Sequence, residues 1–333
     1  MQPRILYLFR RTSRFFSIEN VFNRIIEEIQ RQGQLSPSRV VVPKEGFSVS
    51  VIFGNGRFAG RQRADIFHIT GDVHYLSFFL PRNRTVLTIH DCVFMRQSTG
   101  IKRWLLKKIF LDWPLARCCQ VTTISENTKK DIQEFTGCSP DVIRVIPNPV
   151  SDKIFFEHRP FAADKPALLF IGSTSNKNLP RVIEALKGVS CILDIVGEIP
   201  VQQVKELEAA GVEYRNFLHL TDEEMAKRYT LSDIVLFPST YEGFGMPIVE
   251  GQKAGRVVVT SDLSPMKDVA GGGACLVDPL SVSSIRSGLI KVIQDNVYRE
   301  TLVKRGMENV RSYELGHIAG IYQNLYKEIL KEV

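Results

Sequence analysis

The feature that most constrains the fold of this chain is the alternation of short apolar segments with longer amphipathic segments. In the first half, apolar runs rich in β-branched residues predict strands at 4–9, 49–53, 66–70, 86–89, 121–124 and 142–146. Helical segments lie between several of these runs, at 18–30 and from Ser125 onward. Strands that alternate with helices are typical of a parallel sheet covered by helices on both faces.

The second half of the chain repeats this alternation. Strands are predicted at 167–171, 191–196, 234–237, 257–260 and 274–277. Helices are predicted at 179–186, 201–210, 223–230, 247–254, 281–295, 298–313 and 315–331. A proline-rich segment, 147–166, separates the two series and is interpreted as a linker. We therefore expect a two-domain α/β protein, with doubly wound parallel sheets in domains 1–158 and 159–333.

Composition excludes several other classes of protein. The chain has 333 residues, of which 44% are hydrophobic, and its mean hydropathy is −0.04. No apolar run approaches the ~18–20 residues of a membrane-spanning helix. The opening run 5–9 ends at Arg10 and is too short for the core of a signal peptide. The six cysteines form no Cys-x-x-Cys pair, which argues against a disulfide framework or a zinc site and favours a reduced, cytosolic environment.

Positive charge is concentrated in the first half of the chain. Residues 1–158 contain 23 Lys and Arg against 14 Asp and Glu, a net charge of +9, whereas residues 159–333 contain 20 against 22, a net charge of −2. A one-sided positive field raises the local concentration of anions such as acidic lipid headgroups or phosphorylated substrates. No helix-turn-helix, zinc-finger or RNP pattern is present, so nucleic acid is not expected as a partner.

The densest motif lies between Pro238 and Glu250, where an apolar strand leads into a glycine-rich turn and then into a helix. Unsubstituted glycines let backbone N–H groups approach a ligand, and a helix start carries about half a positive charge, so this corner suits a phosphate. Glu242 and Glu250 flank the turn, and both carboxylates could accept hydrogen bonds from hydroxyls in one cleft. The alternative is that Glu242 is a solvated loop acid and that Glu250 only complements the helix dipole.

Other short motifs fail on their spacing. Gly54-x-Gly56-x-x-x-Gly60 follows an apolar run but lacks the spacing of a dinucleotide-binding loop. The chain contains no P-loop sequence, which excludes the phosphate chemistry of that loop. It also contains no Gly-x-Ser-x-Gly, which argues against a serine hydrolase of that type.

The string from Pro238 to Glu250 resembles the E-x7-E signature of retaining glycosyltransferases of family 4, which have the GT-B fold. Segments similar to this family also occur at 218–224, 232–239, 264–271, 277–279, 88–91, 124–128 and 145–148. The similarity spans nearly all of 85–280 and is looser over the first 80 residues. It implies two Rossmann-like domains that face each other across a cleft, and it leaves open whether the last helix returns to the first domain.

The resemblance implies roles for individual residues of the second domain. The diphosphate of a nucleotide-sugar donor would lie against a corner of five residues, Gly243, Phe244, Gly245, Met246 and Pro247. Glu250 would bind the ribose hydroxyls. Glu242 would bind hydroxyls of the transferred sugar and lie near its anomeric carbon.

Three further residues have counterparts in the family pattern. The loop that begins at Gly172 matches the loop in which family members place a diphosphate-binding Lys, and Lys177 would neutralise the leaving diphosphate. His90 matches the first-domain histidine that contacts the donor sugar. Two of these residues have a simpler alternative, because Lys177 could be an ordinary solvated lysine and His90 a structural residue beside an apolar strand.

The sequence departs from the family pattern at two places. Ser173 occupies a position where family members commonly have an Arg, so either Arg181 or an Arg of the first domain supplies the second charge, or the diphosphate is held more weakly. The glycine-rich loop of the first domain is also missing, since residues 15–20 read Phe-Phe-Ser-Ile-Glu-Asn. We therefore assign no site residue to that loop.

A basic segment, 102–113, contains both tryptophans of the chain, Trp104 and Trp113. Its cations are Lys102, Arg103, Lys107 and Lys108. Cations interleaved with aromatic residues suit an anionic membrane surface or a lipid-diphosphate acceptor. The alternative is that Trp104, Leu105, Phe110 and Trp113 belong to the core and that the lysines form a solvated face.

These features predict a retaining glycosyltransferase that moves a hexose from a UDP- or GDP-sugar to a hydroxyl of a saccharide or lipid-linked acceptor, in cell-surface polysaccharide or glycolipid synthesis. The chain has no Asp-x-Asp, the usual metal-binding signature of the other main glycosyltransferase fold, so we expect no metal and no other cofactor. We expect a cytoplasmic enzyme, with a peripheral position on the inner face of the membrane compatible with the basic segment. The alternatives are a phosphorylase or epimerase of nucleotide-sugars, and a non-catalytic protein of the same fold that binds a nucleotide-sugar or a membrane partner.

Overall fold

The computed structural model describes residues 2–11 and 17–332, and the strands in these ranges form two parallel sheets of six strands each. The first sheet consists of β1 (Arg4–Phe9), β2 (Ser36–Val41), β3 (Ile66–Ile69), β4 (Thr85–Ile89), β5 (Gln120–Thr123) and β6 (Ile143–Val145). The second consists of β7 (Ala167–Ile171), β8 (Ile192–Val196), β9 (Tyr214–Phe217), β10 (Ile234–Phe237), β11 (Val257–Ser261) and β12 (Cys275–Val277). Their spatial orders are β2-β1-β3-β4-β5-β6 and β12-β11-β10-β7-β8-β9. Both orders are those of doubly wound nucleotide-binding sheets, which confirms the predicted α/β fold class.

Helices connect the strands of both sheets. Those before β7 are α1 (Ser17–Gln32), α2 (Val49–Gly60), α3 (Val93–Arg96), α4 (Gly100–Lys107), α5 (Trp113–Arg117) and α6 (Glu126–Thr136), with a π-helical turn at Lys108–Asp112 between α4 and α5. Those after β7 are α7 (Leu179–Leu186), α8 (Val201–Ala209), α9 (Asp222–Leu231), α10 (Met246–Lys253), α11 (Met266–Ala270), α12 (Val282–Gln294), α13 (Asn296–Asn309) and α14 (Leu315–Glu332). Of the helices in the described ranges, none has both the length and the hydropathy that a membrane-spanning helix requires.

The chain divides into two compact units. The first contains the residues up to Pro149 and those from Leu315 onward, and the second is Val150–Glu314. The division therefore falls nine residues before the expected boundary at 158/159. Residues 150–158 belong to the second unit because Val150 N donates to Tyr313 O at 2.8 Å and Lys253 Nζ donates to Ser151 O at 2.8 Å.

The first sheet has an apolar core on each face. Ile5, Tyr7 and Phe9 of β1 pack with α1 and α14, whereas Leu6 and Leu8 point into the opposite core. Successive side chains of a strand alternate between faces, so a strand covered on both sides is apolar at every position. This is why β1 reads in the sequence as one continuous apolar run.

The last helix, α14, packs against the first sheet through a buried polar network as well as through apolar contacts. Tyr326 Oη donates to Tyr7 Oη at 2.9 Å and lies 2.7 Å from His68 Nδ1. The other ring nitrogen of His68, Nε2, lies 2.7 Å from Thr88 Oγ1. One residue from each of β1, β3 and β4 therefore takes part, and the structure settles the position of the last helix that the sequence left open.

Residues 49–53, which were expected to form a strand, begin helix α2 instead. Ser48 caps this helix by accepting a hydrogen bond from Val51 N at 3.4 Å. Gly56, part of the glycine motif of the sequence, lies inside α2, and a Cβ there would come within 2.3 Å of the Phe79 ring. The glycine therefore lets Phe79 pack against the helix. The expectation failed because short apolar runs have no distinctive period.

Burial of histidines in the first unit should make its stability depend on pH. Burial lowers the pKa of His68 from 6.5 to about 3, and it also lowers the pKa values of His74 and His90. The unfolded state then binds more protons below pH 6.5, so the free energy of unfolding should fall as the pH decreases through that value. His68 alone should account for a loss of about 1 kcal/mol between about pH 7 and pH 5.5. Urea unfolding followed by tryptophan fluorescence measures this, since Trp104 and Trp113 both lie in the first unit.

The matched variants for this experiment are His68→Gln and His158→Gln. His158 is exposed and lies in the second unit, so its replacement controls for the change of residue type. The dependence should be shallower in His68→Gln, whatever the offset in its absolute stability. An equally steep dependence in that variant would contradict the assignment.

Candidate active site

The topology of the second sheet places two motif loops at one crevice. Counted from β7, the sheet has the order 3-2-1-4-5-6, so β7 and β10 are neighbours although their connections run to opposite sides. A crevice opens at the carboxyl ends of such a strand pair, and ligands of open α/β sheets bind there. The loop that begins at Gly172 follows β7, and the glycine-rich turn that begins at Pro238 follows β10.

The loop after β7 is held in place by its own backbone and by Asn178. Gly172 has a φ of +95°, and a Cβ there would lie 2.8 Å from Lys177 Cε, so glycine both permits the turn and leaves room for the lysine. Asn178 Nδ2 donates to Pro238 O at 3.0 Å and to Pro279 O at 2.6 Å. The loop is thereby attached to the segments that follow β10 and β12.

Lys177 and Glu242 meet in this crevice. Lys177 Nζ lies 2.7 Å from Glu242 Oε1, and both side chains are largely buried. Asn176 Nδ2 donates to the same carboxylate oxygen at 3.2 Å and to Tyr241 O at 2.9 Å. Lys177 Nζ also lies 4.7 Å from the centroid of the Phe237 ring. The structure therefore brings together the lysine loop and the first glutamate of the signature.

The glycine-rich corner leads directly into α10. Gly245 precedes the helix with a φ of +114°, and Pro247 lies in the first turn, where it has no N–H to leave unpaired. Phe244 is buried, and its ring centroid lies 5.8 Å from that of Tyr313. The corner thus combines a helix start with a backbone that only glycine adopts readily.

Glu250, in the middle of α10, is held by a buried tyrosine. Tyr229 Oη of α9 donates to Glu250 Oε2 at 2.5 Å. Burial and the nearby Glu250 carboxylate raise the pKa of Tyr229 well above its ordinary value. The phenol therefore stays protonated and donates the hydrogen bond to Glu250. At the next position, a Cβ on Gly251 would lie 2.8 Å from Val235 Cγ2, so α10 packs closely on β10.

His90 belongs to the first unit, and its ring makes a hydrogen bond within that unit. It follows β4, and its Nε2 lies 2.7 Å from Thr70 O, so that nitrogen carries the hydrogen. Burial lowers the pKa of His90, and the ring is neutral at pH 7. In this tautomer Nδ1 can accept a hydrogen bond from a hydroxyl.

The two departures from the family pattern have different outcomes. Arg181 Nη1 donates to Asn178 Oδ1 at 2.9 Å, so a guanidinium lies at the lysine loop although residue 173 is Ser. Of the first-domain loop without glycines, residues 15 and 16 lie outside the described residues, and residues 17–20 begin α1.

Three residues of the crevice were not anticipated from the sequence. Asn176 and Asn178 flank Lys177 in a loop that follows a strand. Because Asn side chains often form hydrogen bonds to backbone groups in loops, this pattern could have predicted that both residues hold the loop. Tyr229 gives no such signal, because it lies 21 residues before Glu250 on a different helix. Within residues 2–11 and 17–332, no three His, Cys, Asp or Glu side chains form a group that could hold a metal ion.

Two family models match the chain. The family described as Glycosyl transferases group 1 matches residues 151–309, and Glycosyltransferase Family 4 matches residues 22–153. The first match contains the lysine loop and the glycine-rich corner, and the second contains His90. The chain therefore belongs to the group 1 glycosyltransferases, and its fold is GT-B.

Named relatives are similar to parts of the chain. A phosphatidyl-myo-inositol mannosyltransferase of Mycobacterium tuberculosis H37Rv is 30% identical over 159 residues, which are 45% of this chain and 42% of that protein. O-antigen chain mannosyltransferase B of Escherichia coli is 29% identical over 109 residues, 33% of this chain and 29% of that protein. The chain thus spans less than half the length of these relatives. A crystal structure of a glycosyltransferase from Rickettsia africae has the same fold, with a TM-score of 0.80 at 16% identity over 100% of both chains.

Replacing Tyr229 tests whether its hydrogen bond to Glu250 stabilises the second unit. A hydrogen bond to a charged group contributes ~1.5–3 kcal/mol, so Tyr229→Phe should lower the free energy of unfolding by about 2 kcal/mol. Urea unfolding followed by far-UV circular dichroism measures the change. Tyr214→Phe is the control, since no hydrogen bond of the Tyr214 hydroxyl occurs within the described residues. Equal stability of the two variants would show that the Tyr229 contact contributes nothing.

Proposed function

We propose that this protein is a retaining glycosyltransferase that transfers a hexosyl residue from a nucleoside diphosphate to a hydroxyl group. One observation carries the proposal: Lys177 and Glu242 meet, with Nζ and Oε1 2.7 Å apart, beside the glycine-rich start of α10 in a member of a glycosyltransferase family. Mannose is the first candidate for the transferred sugar, because both relatives named above are mannosyltransferases.

The positive charge that stabilises the leaving diphosphate would come from the chain itself. The first N–H groups of α10 have no partner within the helix, and the helix start attracts phosphate oxygens. Lys177 carries a point charge on a flexible stem. As the bond between the sugar and the diphosphate breaks, the ammonium group would exchange its ion pair with Glu242 for one with the diphosphate. Arg181 lies at the lysine loop and would supply the second charge. It would replace the Arg that family members commonly have at the position of Ser173. No step of this scheme uses a metal ion or another cofactor.

The carboxylates and His90 would orient the sugar and the nucleoside. Glu242, fixed by Asn176 and Lys177, would accept hydrogen bonds from sugar hydroxyls and place negative charge near the anomeric carbon, where positive charge develops. Glu250, held by Tyr229, would accept hydrogen bonds from the ribose. His90 would accept one from the transferred sugar through Nδ1.

The acceptor would be a hydroxyl of a saccharide or of a lipid-linked molecule, in the synthesis of a cell-surface polysaccharide or glycolipid. The names of the two relatives, which mention an O-antigen chain and phosphatidyl-myo-inositol, support these two acceptor classes.

Substitution of the two central residues tests the proposal. Lys177→Ala and Glu242→Gln should each lower the release of nucleoside diphosphate from GDP-mannose or UDP-glucose by at least about 100-fold, because each removes charge that stabilises the transition state. Lys187→Ala is the control: Lys187 is an exposed lysine that follows α7 and pairs with Glu184 at 2.7 Å, and its loss should leave the rate unchanged.

The outcomes separate the alternatives. Unchanged turnover in Lys177→Ala and Glu242→Gln would contradict the assigned site. Tight binding of UDP or GDP without turnover of any donor in the wild-type protein would favour the non-catalytic alternative. Release of a free 1-phosphate sugar on addition of inorganic phosphate would favour a phosphorylase.

We also propose that the first unit docks on an anionic membrane surface. Four apolar side chains around α4 and α5 are exposed, and we call them the exposed apolar face: Ile101 (85%), Trp104 (59%), Leu105 (44%) and Trp113 (47%). Ile101, Trp104 and Leu105 have the i, i+3, i+4 spacing of one side of a helix. The alternative that Trp104, Leu105 and Trp113 belong to the core is therefore wrong, whereas Phe110 is partly buried, 5.1 Å from the Phe47 ring.

The four cations of this segment are not equivalent. Lys107 and Lys108 both pair with Asp112, at 2.7 and 2.9 Å, so much of their charge is neutralised locally. Lys102 and Arg103 are exposed beside the apolar face. Attraction to anionic headgroups, at about 1 kcal/mol per exposed cation, would therefore come mainly from Lys102 and Arg103.

Vesicle co-sedimentation tests the membrane proposal. Ile101→Ser combined with Trp104→Ser should reduce the bound fraction on phosphatidylglycerol-containing vesicles by about 10-fold, because it removes apolar area from the interface. Lys102→Gln combined with Arg103→Gln should reduce it by about 10-fold at low salt only. Val201→Ser combined with Val297→Ser, at exposed apolar positions of the second unit, is the control. Binding that persists unchanged in both first-unit variants would rule out this face.

A further inference from the structure

The second unit contains a cavity of about 890 Å³ that none of the residues assigned to the donor lines. Its walls are the segment 154–161, residues 255–257 at the start of β11, and one side of α13. We call it the arginine cavity, because Arg159, Arg256 and Arg299 all line it. Arg256 directly precedes β11, whereas the donor loops follow the carboxyl ends of β7 and β10. In a parallel sheet the amino ends and the carboxyl ends of the strands lie on opposite sides, so the cavity is separate from the candidate active site.

Two of the arginines that line the cavity are buried. Arg256 is 5% exposed and Arg299 is 9% exposed. In the part of the chain that the structure describes, neither forms an ion pair within 4.0 Å. Their hydrogen bonds go mainly to main-chain oxygens: Arg256 Nε donates to Ala254 O at 3.0 Å, and Arg299 Nη1 donates to Val292 O at 2.8 Å. Carbonyl groups satisfy the hydrogen bonds of a guanidinium but do not neutralise its charge.

Among the carboxylates that line the cavity, that of Asp233 is buried and lies near these arginines. Asp233 Oδ2 lies 3.9 Å from Arg159 Nη2 and also accepts a hydrogen bond from Ala167 N at 2.8 Å. Burial and the neighbouring charge of Arg159 lower the pKa of Arg256, although the carboxylates of Asp233 and Glu157 act in the opposite direction. The other acids that line the cavity are exposed, where water screens them: Glu157, Glu300, Glu308 and Glu314. The buried part of the wall therefore carries an excess of positive charge.

Apolar side chains form the remaining wall. Phe155 and Phe156 are 68% and 51% exposed, which is unusual for adjacent phenylalanines, and Met307 faces the same space. The Arg299 Cζ lies 3.8 Å from the centroid of the Phe161 ring, which fixes the guanidinium plane. The volume is within the range of small-molecule sites, and the lining combines apolar surface with a few convergent charged groups, as such sites do.

We propose that the arginine cavity binds a small organic anion, with its phosphate or carboxylate group on Arg256 and Arg299 and its apolar part against Phe155 and Phe156. A guanidinium can donate hydrogen bonds to either anionic group through its remaining N–H groups, and the anion would supply the counter-charge that the buried wall lacks. The site is a second one, independent of the proposed transfer reaction.

Thermal unfolding with four probes tests this proposal. Phenyl phosphate or benzoate should raise the unfolding midpoint by about 5 °C at saturation, whereas inorganic phosphate and phenol, which each carry half of the required chemistry, should have a much smaller effect. The comparison of phenyl phosphate with benzoate identifies the preferred anionic group. Arg256→Gln should abolish the shift. Phe155→Ser, at a position that is 68% exposed, should weaken the affinity for the aromatic anion at least about 5-fold.

Lys177→Ala separates this site from the candidate active site, because it should leave the shift intact. The proposal is overturned if neither aromatic anion stabilises the wild-type protein, or if Phe155→Ser responds as the wild type does. It is also overturned if Lys177→Ala loses the shift, since the probe would then bind at the lysine loop. The result for Arg256→Gln is interpreted only if the circular dichroism spectrum of that variant matches the wild type. If it does not, the result for Phe155→Ser decides whether the proposal holds.

Discussion

The reversal of strand order between β7 and β10 is the constraint on which the candidate active site depends. The two strands are parallel neighbours whose connections diverge, so both of their carboxyl ends open into one crevice. Asn178 then donates to the main-chain oxygens of Pro238 and Pro279, which holds the loop after β7 against the loop after β10. Only with both in place does Lys177 reach Glu242. The chemistry of the site thus follows from topology first and from side chains second.

Much of the fold could be predicted from the sequence because strands of a covered parallel sheet are almost continuously apolar, as in β1, β7 and β10. The strands that were missed, β2 and β9, lie at the edges of their sheets and are largely exposed. Polar residues such as Ser36, Arg39 and Arg215 conceal them. The strand wrongly predicted at 49–53 is an apolar run too short to have a helical or a strand period.

The candidate site was predictable where it is local in sequence and not where it is assembled by folding. The corner 243–247 and Glu250 form one continuous motif, and the structure gives them the expected turn and helix. The contact of Lys177 with Glu242 joins positions 65 residues apart, and the resemblance to a family, rather than any pattern in the chain, led to it. Tyr229 could not be anticipated, because its hydrogen bond depends on how α9 packs beside α10. The predicted boundary at 158/159 differs from the division after Pro149 for a similar reason. The hydrogen bonds that attach residues 150–158 to the second unit involve main-chain atoms, which the sequence does not reveal.

The return of α14 to the first sheet affects how the chain acquires its structure during synthesis. The first unit remains without one of its covering helices, and without the Tyr326 hydroxyl that contacts His68 and Tyr7, until residues 315–332 have left the ribosome. The second unit is continuous in sequence and is available earlier. The order of completion is therefore the reverse of the order of translation, and the apolar surface of β1 that α14 covers stays open to chaperones during that interval.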